Sequence, residues 1–500
     1  MKKVLINIGR ILLRLLILII IVVNKKGFFI LESVALIGAI LWVVAIEILE
    51  HVIMDKKTGK KKGRVGFYIT DVLAVLIIFA TLVMNPNWNS TPSDKIDWSK
   101  DTGNVTYSNL QALEDYMYML KYVKKLHPLT HDGFDDEIMD KMLEVKHDLE
   151  NTDSIKGYDL CRELESILSA LGDGHTSIQE TYPEYHYMKH NYEHRFLGDT
   201  LVAVNGLTYE DMLNANPYIV SYERKEYGER MIKNRVSSLE GLNYLGIDTS
   251  GEIVYNYRTA DGGTAEERVT AEDFLTYDEY IKYSEEVTGD DLSSEGEDRG
   301  FVYYDIYEDA DLAVLTLTSC NYNDKYKETV KAMFDEIHEK NIGNVAVDLT
   351  DNGGGSSGVA NEFIKYLDVD SYYSWPDVVR FGPVMVKHKK NLVKNHKKGY
   401  GFNGNVYVIT SIWSYSSSMD FAMLIQDNGI GKVVGEASGN MPNSYGQITR
   451  FVLPNSGLIM QVSTKDWHRV DETKEDLPVL PDIECNPYEA VDVIKEITRK

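Results

Sequence analysis

The run Asn344-Val-Ala-Val-Asp-Leu-Thr-Asp-Asn-Gly-Gly-Gly355 constrains this chain more than any other segment. Its apolar Val345–Leu349 stretch reads as a buried strand, the kind found inside a parallel sheet covered on both faces. Three glycines end it, and a glycine turn at a strand end leaves backbone N–H groups bare. The flanking chain agrees with such a sheet. From Val302 onward, strand and helix patterns alternate: strands at 312–317, 345–349, 405–410 and from 432, helices at 324–340, 359–367 and 417–427. That order predicts an α/β core with mostly parallel strands. A second segment, Ser414-Tyr-Ser-Ser-Ser-Met-Asp420, reads as a hydroxyl-dense turn opening a helix. A serine there sits near the positive end of the helix dipole, and bare N–H groups can stabilise an oxyanion. Together these are parts of an acyl-transfer site.

Charge divides the chain sharply. Residues 1–87 carry 12 Lys+Arg and 5 Asp+Glu, a net of +7. The remaining 40 basic and 72 acidic residues leave the rest at −32. So acidic a domain argues against nucleic-acid binding, which needs basic surface. Cys161, Cys320 and Cys485 are odd in number and widely spaced, so neither a disulfide framework nor a metal-type pair is expected.

The basic end holds three apolar stretches, at about 4–23, 27–54 and 65–84, each long enough to cross about 30 Å of hydrocarbon as a helix. Six basic residues between Asp55 and Arg64 place that loop in the cytoplasm. The expectation is a multi-pass cell-membrane anchor at 1–87, in contact with lipid, with everything after about Asn85 outside the cytoplasm. Arg10 and Arg14 make the first stretch the weakest span, and Lys25 and Lys26 argue against its orientation.

Residues 88–104 are polar and read as a linker. A helical subdomain is expected at 105–190, with helices near 108–126, 137–149 and 153–171, the last ending in Gly172-Asp-Gly-His-Thr-Ser177. Residues 191–300 change to short alternating runs and read as a small β-rich domain. The α/β core takes 301–500, with residues 368–404 as a lysine-rich insertion.

The segments Leu171-Gly-Asp-Gly-His-Thr176, Val345–Gly355, Tyr415-Ser-Ser-Ser-Met-Asp-Phe-Ala422, Val433-Val-Gly-Glu-Ala-Ser-Gly439, Leu453-Pro-Asn455 and Leu480-Pro-Asp-Ile483 occur in this order. Over roughly 105–490 the chain resembles the carboxyl-terminal-processing (tail-specific) and tricorn-core family of serine peptidases. The resemblance implies a crotonase/ClpP-like α/β core with a helical N-terminal subdomain, a protein or peptide substrate, and no cofactor or metal. Its register places the nucleophile at Ser416, with Ser417 and Ser418 as alternates. It makes His175 the general base and Glu475 the carboxylate that supports it. Gly354 or Gly353, with the N–H of Ser417, would form the oxyanion hole. Relatives with a Ser–Lys dyad carry the lysine where this chain has Met441, which points to the tricorn-like, Ser–His branch.

A catalytically silent relative that binds peptides or an apolar ligand is the alternative, because Met419 stands where relatives carry an acid. Leu197–Gly206 resembles the end of a peptide-gripping PDZ module, but the length from His175 is too short for a complete one. His186, His190 and His194 would share one face if that segment were helical, a conceivable metal site. The glycine run lacks the Gly-Lys-Ser/Thr of a phosphate loop. The sequence leaves oligomeric state open.

Overall fold

The computed structural model describes residues 90–190, 194, 197–288 and 299–499. Ser93–Val379 and Val386–Lys500 form one compact unit. The three predicted membrane spans lie outside the described residues. Among the described residues no helix is long and apolar enough to cross a membrane.

The core is a six-stranded sheet in the order Val302–Tyr307, Leu312–Leu317, Asn344–Asp348, Asn405–Thr410, Lys432–Gly435, Ile483–Glu484. The first pair is antiparallel and the remaining pairs are parallel. The expected interior strand is there: Val345, Ala346 and Val347 are fully buried. Burying such a valine contributes about 1.5–3 kcal/mol relative to exposure, and a strand buried on both faces can therefore be apolar throughout. Helices Asp324–Lys340, Gly358–Ile364 and Ser417–Asp427 pack on one face through Tyr326, Val330, Phe334, Phe363 and Phe421. The helix Ala490–Thr498 packs on the other.

The helical subdomain contains Asn109–Leu126, Asp136–Glu150 and Gly157–Ser169. The first starts at a reciprocal cap between Ser108 and Gln111, which satisfies otherwise orphaned N–H groups. The third begins later than its apolar periodicity implied, because Ser154–Lys156 pairs as a strand with Thr106–Ser108. After it, Ser177–Gln179 pairs with Ile459–Gln461. The partner strand belongs to a long hairpin, Ser444–Val452 with Ile459–Trp467, which the motif reading did not identify. This pairing ties the turn bearing His175 to the core.

Residues 197–288 form an antiparallel sheet in the order Leu207–Thr208, Thr200–Val204, Ile253–Arg258, Thr264–Val269, with helices Tyr209–Ala215, Lys225–Arg235, Leu239–Tyr244 and Tyr277–Thr288 around it. The domain is thus richer in helix than its alternating runs implied. His186 lies in the strand His186–Met188 and its ring meets Glu240 at 2.7 Å, while His194 meets Asp199 at 2.8 Å. The stripe of three imidazoles on one helix face is not formed.

Candidate functional site

The glycine loop and the serine turn both leave carboxyl ends of neighbouring parallel strands, where open α/β sheets present their ligand sites. Most hydroxyls of the serine turn are consumed by its own geometry. Ser414 Oγ donates to the Leu349 carbonyl at 2.7 Å and accepts the Ser411 N–H at 2.9 Å. Ser417 Oγ donates to the Gly355 carbonyl at 3.0 Å. Ser418 is fully buried. Ser416 alone among them is neither bonded through its hydroxyl nor buried. It stands just before the helix Ser417–Asp427 at φ +58°, ψ −126°. Such a conformation costs a non-glycine residue about 1–3 kcal/mol. Two bonds hold it there: its N–H donates to Asn440 Oδ1 at 2.8 Å, and its carbonyl accepts the Asp420 N–H at 2.9 Å. The Ser416 hydroxyl is part-exposed and has no hydrogen-bond partner among the described residues.

Gly354 abuts this turn. At φ +100° it adopts a backbone that side chains resist, and a Cβ there would come within 2.6 Å of Ser416 Cβ and 3.0 Å of the Ser417 nitrogen. Its N–H is already engaged, donating to Asn352 Oδ1 at 2.8 Å. This corrects the expectation that Gly354 donates to an oxyanion: it supplies closeness. The N–H groups of Gly353 and Ser417 have no acceptor among the described residues. Asn352 is the fully buried keystone of the loop. Its amide donates to the Leu317 carbonyl at 2.6 Å, and its carbonyl accepts the Tyr415 N–H at 3.1 Å.

His175 reaches the serine turn from the other half of the fold, its ring 4.9 Å from that of Tyr415. Neither ring nitrogen has a hydrogen-bond partner. Its Nδ1 lies 3.8 Å from Asp173 Oδ1 and 3.8 Å from Glu223 Oε1, too far for hydrogen bonds and close enough for charge to act. Burial alone would push His175 down, but the carboxylates of Glu223, Asp173 and Asp420 more than offset it and hold the imidazole above its usual range. Asp173 is buried, which pushes it up. The His127 bond and the neighbouring imidazoles prevail and bring it down to about 2. His127 Nδ1 accepts the Leu129 N–H, so its Nε2 donates to Asp173 Oδ2 at 3.0 Å. Asp420, one turn beyond Ser416, is pushed up to about 7 by burial, with His175 and Lys465 pulling the other way.

Asp173, His175 and Glu223 each bring one ligand atom within 4.8 Å of the others, a spacing that can hold a metal ion. Their carboxylates are, however, occupied as hydrogen-bond acceptors. Asp173 serves His127 and the His175 N–H, and Glu223 serves the Gly174 N–H and the Tyr415 hydroxyl. That is the pattern of a brace.

Glu475 is not brought to His175. It is exposed beside the short turn Glu472–Lys474, where its charge acts on His468. Sequence reasoning missed Asn352, Asn440, His127 and Glu223. Only Asn352 left a signal, since Asp-Asn-Gly favours a turn closed by the asparagine side chain.

Residues 311–485 match the sequence model of Peptidase family S41. No curated protein matches the sequence. Mature CPAF complexed with lactacystin aligns at TM-score 0.55 and 13% identity, covering 78% of this chain and 98% of that one. Mature CPAF alone aligns at 0.54 and 13%, covering 78% and 97%. The photosystem II D1 C-terminal processing protease aligns at 0.42 and 11%, covering 79% and 98%. At such identities the CPAF likeness speaks for the fold. The sequence match covers the core, on which Ser416 and the glycine loop both lie, and identifies residues 311–485 as a Peptidase family S41 domain.

Proposed function

We propose that this chain is a membrane-anchored serine endopeptidase whose catalytic unit works outside the cytoplasm through a Ser–His mechanism. One observation carries the chemistry: Ser416 is part-exposed, its hydroxyl unpartnered on a strained turn at a helix start, and Tyr415, the residue just before it, meets the imidazole of His175. Ser416 Oγ attacks the peptide carbonyl while its proton passes to His175. The N–H groups of Ser417 and Gly353 receive the developing oxyanion. As the C–N bond breaks, His175 returns that proton to the leaving amine. A water molecule, deprotonated by the same imidazole, then hydrolyses the acyl-enzyme.

The silent-relative reading leaned on Met419. That side chain is buried in the core cluster, 1% exposed, so its apolar nature serves packing. The acid at the next position, Asp420, adds its charge to those of Glu223 and Asp173 acting on His175. Labelling with a fluorophosphonate tests the reading. Wild type should label, Ser416→Ala should not, and Ser417→Ala should retain labelling. A folded wild-type protein that fails to label would defeat it.

The anchor rests on the three apolar stretches before residue 87 and on the basic loop between Asp55 and Arg64. Protease added to intact cells should remove the catalytic unit. Protection until the cells are lysed would reverse the orientation.

A further inference from the structure

Glu223 belongs neither to the base turn nor to the nucleophile turn, yet its carboxylate touches both. Oε1 accepts the Gly174 N–H at 3.1 Å and lies 3.8 Å from His175 Nδ1. Oε2 accepts the hydroxyl of Tyr415, the residue before Ser416, at 2.9 Å. The group is 6% exposed. The fit requires a glycine in the base turn: a Cβ on residue 174 would come within 2.1 Å of the Tyr415 hydroxyl and 3.0 Å of Glu223 Oε2. The next residue extends the clamp, because the Arg224 guanidinium donates to the Ser438 carbonyl in the loop that also carries Asn440. Asp173 is placed differently. It braces its own turn through the His175 N–H and the His127 ring, and makes no bond to the nucleophile turn.

We propose that Glu223 is the positioning carboxylate of this site: it fixes His175 against Tyr415, and thereby sets the register between base and nucleophile, the role the family resemblance gave to Glu475. The assignment rests on the Ser–His reading above. Glu223 holds the Nδ1 side of the ring and favours the protonated imidazole formed during attack. The other charged groups that act on the ring are Asp173 from its own turn and Asp420 from the nucleophile helix, the latter also pulled on by Lys465.

The experiment uses the full-length chain carrying ¹³C-labelled histidine, with the His175 resonance assigned by its loss in His175→Gln. Glu223→Gln keeps an acceptor for Gly174 and a partner for Tyr415 while removing the charge. Its His175 titration midpoint should fall by about one pH unit. The acid limb of kcat should move down with it, and kcat should drop about tenfold with KM held within about twofold. Glu475→Gln should leave all of these as in wild type. A Glu223→Gln protein that titrates like wild type, or a shift produced by Glu475→Gln instead, would overturn the assignment. The resonance reports on Glu223 even if Ser416→Ala turned out to retain hydrolysis, so the two readings fail separately.

Discussion

At the scale of single residues, the serine turn leaves one part-exposed hydroxyl without a partner while the others are bonded or buried. Five serines lie between 411 and 418; Ser411, Ser414 and Ser417 are bound to backbone carbonyls, and Ser418 is sealed. The same compactness makes Asp420 costly to ionise. Its folded pKa of about 7 stands above the ordinary carboxylate value of 3.8, so the unfolded chain loses this proton first. Stability from this group is greatest below the unfolded value and declines as pH rises from about 4 towards 7. Asp420→Asn should remove that slope and raise the melting temperature at pH 7 more than at pH 4. A thermal-melt series across pH checks it, and an unchanged slope would mean Asp420 stays ionised in the fold.

At the scale of elements, the glycine loop is held by an amide and admitted by a missing side chain. Asn352→Ala would strand the buried Leu317 carbonyl, at about 1–3 kcal/mol, and release the part-exposed Gly354 N–H. The expected result is a lower unfolding midpoint in urea together with weaker Ser416 labelling. Gly354→Ala acts by contact: its Cβ would push on Ser416. Labelling should be abolished or slowed at least a hundredfold, and labelling at the wild-type rate would show that the two turns separate freely. These elements were legible beforehand. Leu312–Leu317, Asp324–Lys340, Asn405–Thr410, Ser417–Asp427 and Lys432–Gly435 lie where periodicity and apolar runs put them, because each is a local pattern on one buried face. The hairpin Ser444–Trp467 was not, since Gln447 at φ +57° interrupts its alternation: Ser444 and Gly446 are buried before it, Thr449 and Phe451 after it.

At the scale of the whole molecule, the proposed Ser–His chemistry depends on docking the helical subdomain against the core. Beside the Ser177–Gln179 pairing, one buried carboxylate carries much of that contact. Asp115 accepts from the Asn455 and Ser456 N–H groups, the Ser456 hydroxyl and the Asn455 amide, all across the hairpin tip. Asp115→Ala leaves those donors without their acceptor, so the melting temperature should fall by several degrees. Catalysis should suffer as well, although residue 115 is no part of the site, because the His175 turn rides on the same subdomain. Normal kcat in a protein destabilised this way would mean the base turn is held by the core alone.

The family resemblance implied Ser416 as nucleophile, while local structure could be read from the chain itself: a strand ending in glycines, a serine at a helix start and a turn at Asp-Gly-His-Thr. These are short-range patterns, set by backbone geometry and the hydrophobic period. The partners of His175 could not be read this way. Glu223 lies 49 residues beyond Gly174 in sequence and 192 before Tyr415, and meets both only because three segments converge. The same convergence left Glu475 in solvent. Which carboxylate faces an imidazole follows from packing between distant segments, and no local pattern encodes it.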